Sequence, residues 1–236
     1  QADIIKDWVK WTDEPPTGNA TLKAMLRGKQ IAATPPQGPV YVSIDTHIQE
    51  QPIDDTLEPY DASLPRHQPP PPMAPNEDAL QQAAELIVNA EFPVIVGGRF
   101  GMYESVRAPL IELLNLTGAG GLNDRAIYCW PSDHPQNLSG DADALREADV
   151  IVCLDVIDIN NTMGTYAIRR RSDILEARDK AAPKIIDISL NGIDNNSWTA
   201  FGGPTPPIDL QIVCEPQHGV DQLISTVRKT LERDDT

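Results

Sequence analysis

The stretch Phe92-Pro93-Val94-Ile95-Val96-Gly97-Gly98-Arg99-Phe100-Gly101 constrains this chain more than any other. Its apolar run does not alternate, which suits a strand covered on both faces. Two glycines follow at once, so the backbone can turn sharply at the strand's carboxyl end with no Cβ in the way. Helical patterns flank it: Leu80, Ala83, Ala84, Ile87 and Val88 before, Val106, Leu110, Leu113 and Leu114 after. Helix, buried strand, glycine turn and helix make the repeating unit of an open α/β sheet. Such sheets bind ligands at the carboxyl ends of their strands.

The same pattern predicts three further buried strands, at 149–155, 184–190 and 209–214, with helices at 141–148, 173–181 and 218–233. Asn76 reads as the N-cap of the first helix, with Glu77 and Asp78 in its first turn. Gly118, Gly120 and Gly121 close the helix that starts near Glu104, and residues 122–140 read as irregular. The fold class is therefore α/β: a Rossmann-like parallel sheet with helices on both faces, preceded by a partial α/β segment.

That segment, residues 1–55, carries a helix at 21–33 and a strand at 39–45. Its sheet edge would stay bare without a partner. The helix-like Ile4, Ile5, Trp8 and Val9 begin with no cap, as if the chain started inside something larger. Residues 56–75 hold seven prolines and read as a linker, with Pro69 to Pro72 extended and semi-rigid, leaving 76–236 as the second domain.

Thirty-five acidic side chains against 19 basic ones give a net charge of −16. Nucleic-acid binding is excluded on that ground, because phosphates need a basic face. The dense basic cluster Arg169-Arg170-Arg171 reads as a solvated helix face or as bound to a carboxylate partner. Cys129, Cys153 and Cys214 are odd in number and widely spaced, which fits neither a disulfide framework nor zinc, and suits a reducing cytoplasm. No apolar run is long enough for a membrane span. His47, His67, His134 and His218 have no partners at ligand spacing, so no metal ligand and no catalytic residue is assigned.

Gly97 and Gly98 fit either a plain tight turn or a loop that lets a pyrophosphate approach the backbone. Asp155 and Asp187, near the ends of two other strands, fit either a ribose hydroxyl acceptor or solvent-exposed caps.

Two stretches carry a resemblance to the thiamine-diphosphate-dependent enzymes of the acetolactate-synthase and 2-oxo-acid-decarboxylase group. Arg27-Gly28-Lys29-Gln30-Ile31-Ala32, followed by Gly38-Pro39-Val40-Tyr41-Val42-Ser43-Ile44-Asp45, resembles the end of their pyrimidine-binding domain. Leu80 to Leu231 resembles their central domain, through Pro93 to Gly98, Ala148 to Val152 and Lys184 to Ser189. The resemblance implies that the activating glutamate lies upstream of Gln1. It also implies that the Gly-Asp-Gly…Asn-Asn motif for diphosphate and magnesium lies downstream of Thr236. Ser139-Gly140-Asp141-Ala142 is not that motif, and Asn160-Asn161 lacks the glycines before it.

Central domains of the group hold FAD, ADP or nothing, and by position Gly97, Gly98, Arg99, Asp155, Asp187 and Ser189 would line the site. Flavin members show an Arg-Phe-Asp-Asp-Arg pattern where this chain has Asp155-Val156-Ile157-Asp158-Ile159-Asn160, and Ser189 replaces a usual carboxylate. The expectation is a non-catalytic scaffold with a vestigial nucleotide site and no cofactor of its own. Its implied partners are the missing catalytic domains and further copies in a homo-oligomer. The alternative is a stand-alone module for FAD, ADP or coenzyme A.

Overall fold

A computed structural model describes residues 2–52, 57, 59–125, 127–141, 143–166, 183–193 and 208–234. The helix expected at 173–181 and the arginines 169–171 lie outside the described residues. The chain divides into two compact units, one reaching from the amino terminus to Pro72 and the other beginning at Met73.

The first unit contains α1 (Ala2–Ile5), β1 (Trp11–Asp13), α2 (Gly18–Ala33), β2 (Val40–Val42) and α3 (Thr46–Glu50). β1 and β2 pair in parallel, Trp11 opposite Val40, with α2 as the crossover. Thr17 caps α2 by accepting from the Ala20 N–H. At the other end of α2 the Lys10 ammonium donates to the carbonyls of Ile31 and Thr34. Gly28 lets the helix close on Val40 and on the Trp11 ring. Only Pro15, Ala24 and Gly28 are buried among the described residues of this unit, while Ile4, Trp8 and Met25 are largely exposed. The strand Trp11–Asp13 lay below sequence detection, because three residues are too few to show a period.

Ahead of Pro69 to Pro72, which carry no helix or strand, the chain folds locally. Residues 60–68 fold back on themselves and against α2. Asp61 Oδ1 accepts from the Ser63 N–H and hydroxyl, and Pro65–His67 make a 3-10 turn. Gln30 Nε2 donates to the Arg66 carbonyl at 2.8 Å. Asx-type hydrogen bonding at Asp61 shapes this local turn.

The second unit runs α4 (Glu77–Val88), β3 (Pro93–Gly97), α5 (Arg107–Thr117), β4 (Gly120–Asn123), α6 (Ala144–Glu147), β5 (Val150–Leu154), α7 (Ile159–Tyr166), β6 (Lys184–Ser189), β7 (Leu210–Val213) and α8 (Pro216–Asp234). Among the described residues its five strands are all parallel, in the order β4-β3-β5-β6-β7. Asn76 caps α4 by accepting from Ala79 N–H, and Gly118 ends α5 in the left-handed conformation at φ 68°.

Side chains alternate between two cores. One, against α4, α5 and α8, takes Ile95, Val152, Leu154, Ile186 and Ile188 together with Leu80, Leu113 and Val220. The other, against α6 and α7, takes Val94, Val96, Ile151 and Cys153 together with Leu145 and Ile159. Helices thus cover both faces of the sheet, which is why its strands read as unbroken apolar runs.

β4 corrects the sequence reading, which ended a helix at Gly120 and Gly121 and left 122–140 irregular. These glycines form an edge strand because bulk comes from outside it: a Cβ at Gly120 would strike Leu138, and one at Gly121 would lie 2.8 Å from the Trp130 ring. The strand's free edge is covered by residues 136–138, with Gly121 N–H donating to Gln136 O and Leu138 N–H to Gly121 O.

Candidate functional site

Numbered within the second unit, the strand order is 2-1-3-4-5, which places its topological switch point between β3 and β5. The carboxyl ends of those two strands deliver Gly97, Gly98 and Arg99 on one side and Asp155 on the other. β6 brings Asp187 and Ser189 alongside, Asp187 level with Cys153 and with Gln211.

The crevice between these ends is bridged by the chain itself. Arg99 Nη2 donates to Asp155 Oδ1 at 2.6 Å and to Asn191 Oδ1 at 2.7 Å. Asn191 Nδ2 donates to the Val156 carbonyl at 2.8 Å, and its backbone N–H donates to Ser189 Oγ at 3.2 Å. The Ser189 hydroxyl in turn donates to Asp187 Oδ2 at 2.9 Å. Arg99, Asp155, Asp187 and Ser189 therefore belong to one hydrogen-bonded chain whose middle link, Asn191, the sequence reading did not single out. An Asn-Gly pair after a strand signals a turn, and nothing in it announces a side chain turned back to an arginine.

The two glycines serve internal packing. A Cβ at Gly97 would collide with Cys129 Sγ, and one at Gly98 with the Asp155 carbonyl oxygen. Gly98 N–H donates to Leu154 O and Arg99 N–H to Asp155 O, so the β3 turn lies hard against the end of β5. Gly98→Ala is expected to lower stability by about 1–3 kcal/mol, because a backbone oxygen cannot yield as a side chain can. Urea unfolding of the variant measures it, and an unchanged midpoint would show that the two turns are not in contact.

Asp155 sits at φ 52°, a left-handed conformation that Asp tolerates better than most residues. Burial raises its pKa, while the Arg99 charge and hydrogen bond hold the rise in check. Asp187 is 1% exposed. Burial pushes its pKa up to about 6; the Ser189 hydrogen bond opposes that, the Asp155 charge adds to it, and Gln211 and Arg99 pull it back. Its Oδ1 makes no hydrogen bond of normal geometry, so the Gln211 side chain compensates it only in part. Arg99 Nε is buried without an acceptor. Solvent exposure, one of the two readings left open for Asp155 and Asp187, is set aside by their burial.

At the neighbouring strand end, Asp124 N–H donates to Gly97 O, and Asp124 Oδ1 accepts from Thr162 Oγ1 at 2.7 Å. The free cysteines are not poised as nucleophiles: burial pushes the Cys129 and Cys214 thiols up to about 12 and Cys153 well above its ordinary value. His134 lies outside the crevice network, its Nδ1 accepting from Gln136 N–H.

Among the described residues no group of three or more His, Cys, Asp or Glu side chains is gathered as metal ligands. The backbone of the Asp155 turn fills the space beside Gly98, and the Arg99 guanidinium is engaged with Asp155 and Asn191.

This geometry defines a class of fold, and comparison with solved structures gives it a context. The chain matches a "putative thiamin diphosphate-dependent enzyme" from Mycobacterium smegmatis with a TM-score of 0.71 at 21% identity, covering 96% of this chain and 41% of that one. It matches the benzoylformate decarboxylase of Polynucleobacter necessarius with a TM-score of 0.72 at 17% identity, covering 96% of this chain and 40% of that one. No family model matches the sequence. The chain has the fold found in thiamin diphosphate-dependent enzymes and spans about two fifths of the length of these structures. Among the described residues no helix is long and apolar enough to cross a membrane.

Proposed function

We propose that this chain is the non-catalytic middle of a thiamine-diphosphate-dependent enzyme acting on 2-oxo acids or related carbonyl donors. Residues 1–55 would be the tail of its pyrimidine-binding domain, 56–75 the connection, and 76–236 its central domain. The parent would be a cytoplasmic homo-oligomer of the acetolactate-synthase and decarboxylase kind, doing carboligation or decarboxylation with thiamine diphosphate and magnesium held by its other domains. The central domain would space and orient those domains and supply no base or nucleophile.

One observation carries the scaffold reading: the switch-point crevice is spanned by the Arg99–Asp155 ion pair and its Asn191 bridge. A binding crevice presents its polar groups to the ligand, whereas here most of them bond to one another. The partial match to longer thiamin diphosphate-dependent enzymes supports the reading of this chain as part of such an enzyme.

A second reading, a module binding FAD, ADP or a coenzyme A ester, draws on the buried and unpartnered Arg99 Nε and Asp187 Oδ1. A ligand held only by the native state raises thermal stability. The scaffold reading expects no melting-temperature shift with FAD, ADP or acetyl-coenzyme A. A saturable shift with any of them, lost in Arg99→Ala, would overturn it in favour of the second.

A further inference from the structure

A separate site emerges in the first unit, independent of how the crevice is read. We propose that the groove between α2 and the folded-back turn at residues 60–68 binds a small aromatic carboxylate. The groove encloses about 520 Å³, within the size range of small-molecule sites. Trp11 lines it from β1, Lys23 and Arg27 from α2, and Tyr60 and His67 from the turn.

Its charge runs against the rest of the chain. In a protein of net charge −16, Lys23 and Arg27 stand one helical turn apart, where like charges repel. Neither forms an ion pair among the described residues. Asp13 also lines the groove, which leaves an excess of one positive charge. That excess matches a monocarboxylate and would be overcompensated by a phosphate dianion. A guanidinium offers a carboxylate two parallel N–H donors.

The aromatic wall is held in place. His67 Nδ1 donates to the Asp61 carbonyl at 2.7 Å while Nε2 accepts from Arg66 Nε. The Tyr60 and His67 rings meet edge to face, centroids 6.1 Å apart. Gln68 Nε2 donates to the Ala62 carbonyl and Gln30 ties the turn to α2. Together with Trp11 these rings give the groove three aromatic side chains to meet a planar body, and the two cations lie on α2 to meet its charge.

Titrating the protein with benzoate, acetate and inorganic phosphate tests this, read by calorimetry and by the Trp11 indole N–H resonance (assigned with Trp11→Phe). Benzoate is expected to saturate in the millimolar range, shift that resonance, and bind roughly tenfold more tightly than acetate or phosphate. Arg27→Glu and Lys23→Glu, both at exposed positions, should each weaken benzoate roughly tenfold. Lys229→Glu, an equal charge change on α8, should leave it unaltered. Absence of benzoate binding, a shift without loss in either α2 variant, tighter phosphate than benzoate, or equal weakening by Lys229→Glu would each overturn the proposal.

Discussion

Asp187→Asn is expected to stabilise the protein by about 3 kcal/mol at pH values above 6, and to change little at pH values below the ordinary carboxylate value. The native carboxyl takes up its proton near 6, whereas in the unfolded chain it does so near 3.8. Between those values the folded protein binds more protons than the unfolded one. Stability therefore falls as pH rises through this window and stays lower above it. The cause is a carboxylate 1% exposed, with one oxygen held by Ser189 and the other only partly compensated. An amide keeps the shape and the acceptor for Ser189 without the buried charge. Asp149 and Asp209, whose pKa values are lowered, contribute the opposite slope, so the measured quantity is the difference between variant and wild type across pH. If urea unfolding gave that difference as flat with pH, Asp187 would not be the titrating group.

Arg99→Ala is expected to cost about 2–3 kcal/mol at neutral pH. That is less than the loss typical of a fully buried pair, because the arginine side chain is 34% exposed while that of Asp155 is 13% exposed. Most of the loss comes from Asp155, left partly buried without its counterion, and the rest from Asn191, which loses its donor. At acid pH, with Asp155 protonated, the cost should shrink. Arg99→Met combined with Asp155→Asn should recover most of the neutral-pH loss, since Asn tolerates the left-handed backbone and carries no charge. A double variant as unstable as Arg99→Ala alone would show that the guanidinium acts through packing rather than pairing.

Much of the second unit was legible along the chain. Its strands are buried on both faces, so Pro93 to Val96 and Val150 to Leu154 announce themselves without regard to what covers them. Asn76 and Gly118 mark helix ends by local chemistry that needs no tertiary partner. β4 escaped because its bulk is borrowed: Leu138 and Trp130 fill the space over Gly120 and Gly121 from the loop that follows the strand. The helix Ile159–Tyr166 escaped too, since its first turns, Ile-Asn-Asn-Thr, combine weak helix formers.

The candidate site divides along the same line. Topology alone puts Gly98, Arg99, Asp155 and Asp187 at the carboxyl edge of one sheet, because a parallel α/β chain must bring every strand end to the same side. Whether that edge receives a ligand or closes on itself is not encoded in the residue types, since an arginine and two carboxylates suit either outcome. The deciding contacts are the approach of the Gly98 turn to the Asp155 carbonyl and the reach of Arg99 to Asp155 and Asn191. The sequence by itself determined the layers and the strand ends, through periodicity and caps that act over a few residues. Only the tertiary structure decided what the polar groups at those ends bond to, because a hydrogen bond depends on ångström-scale distances between segments far apart in the chain.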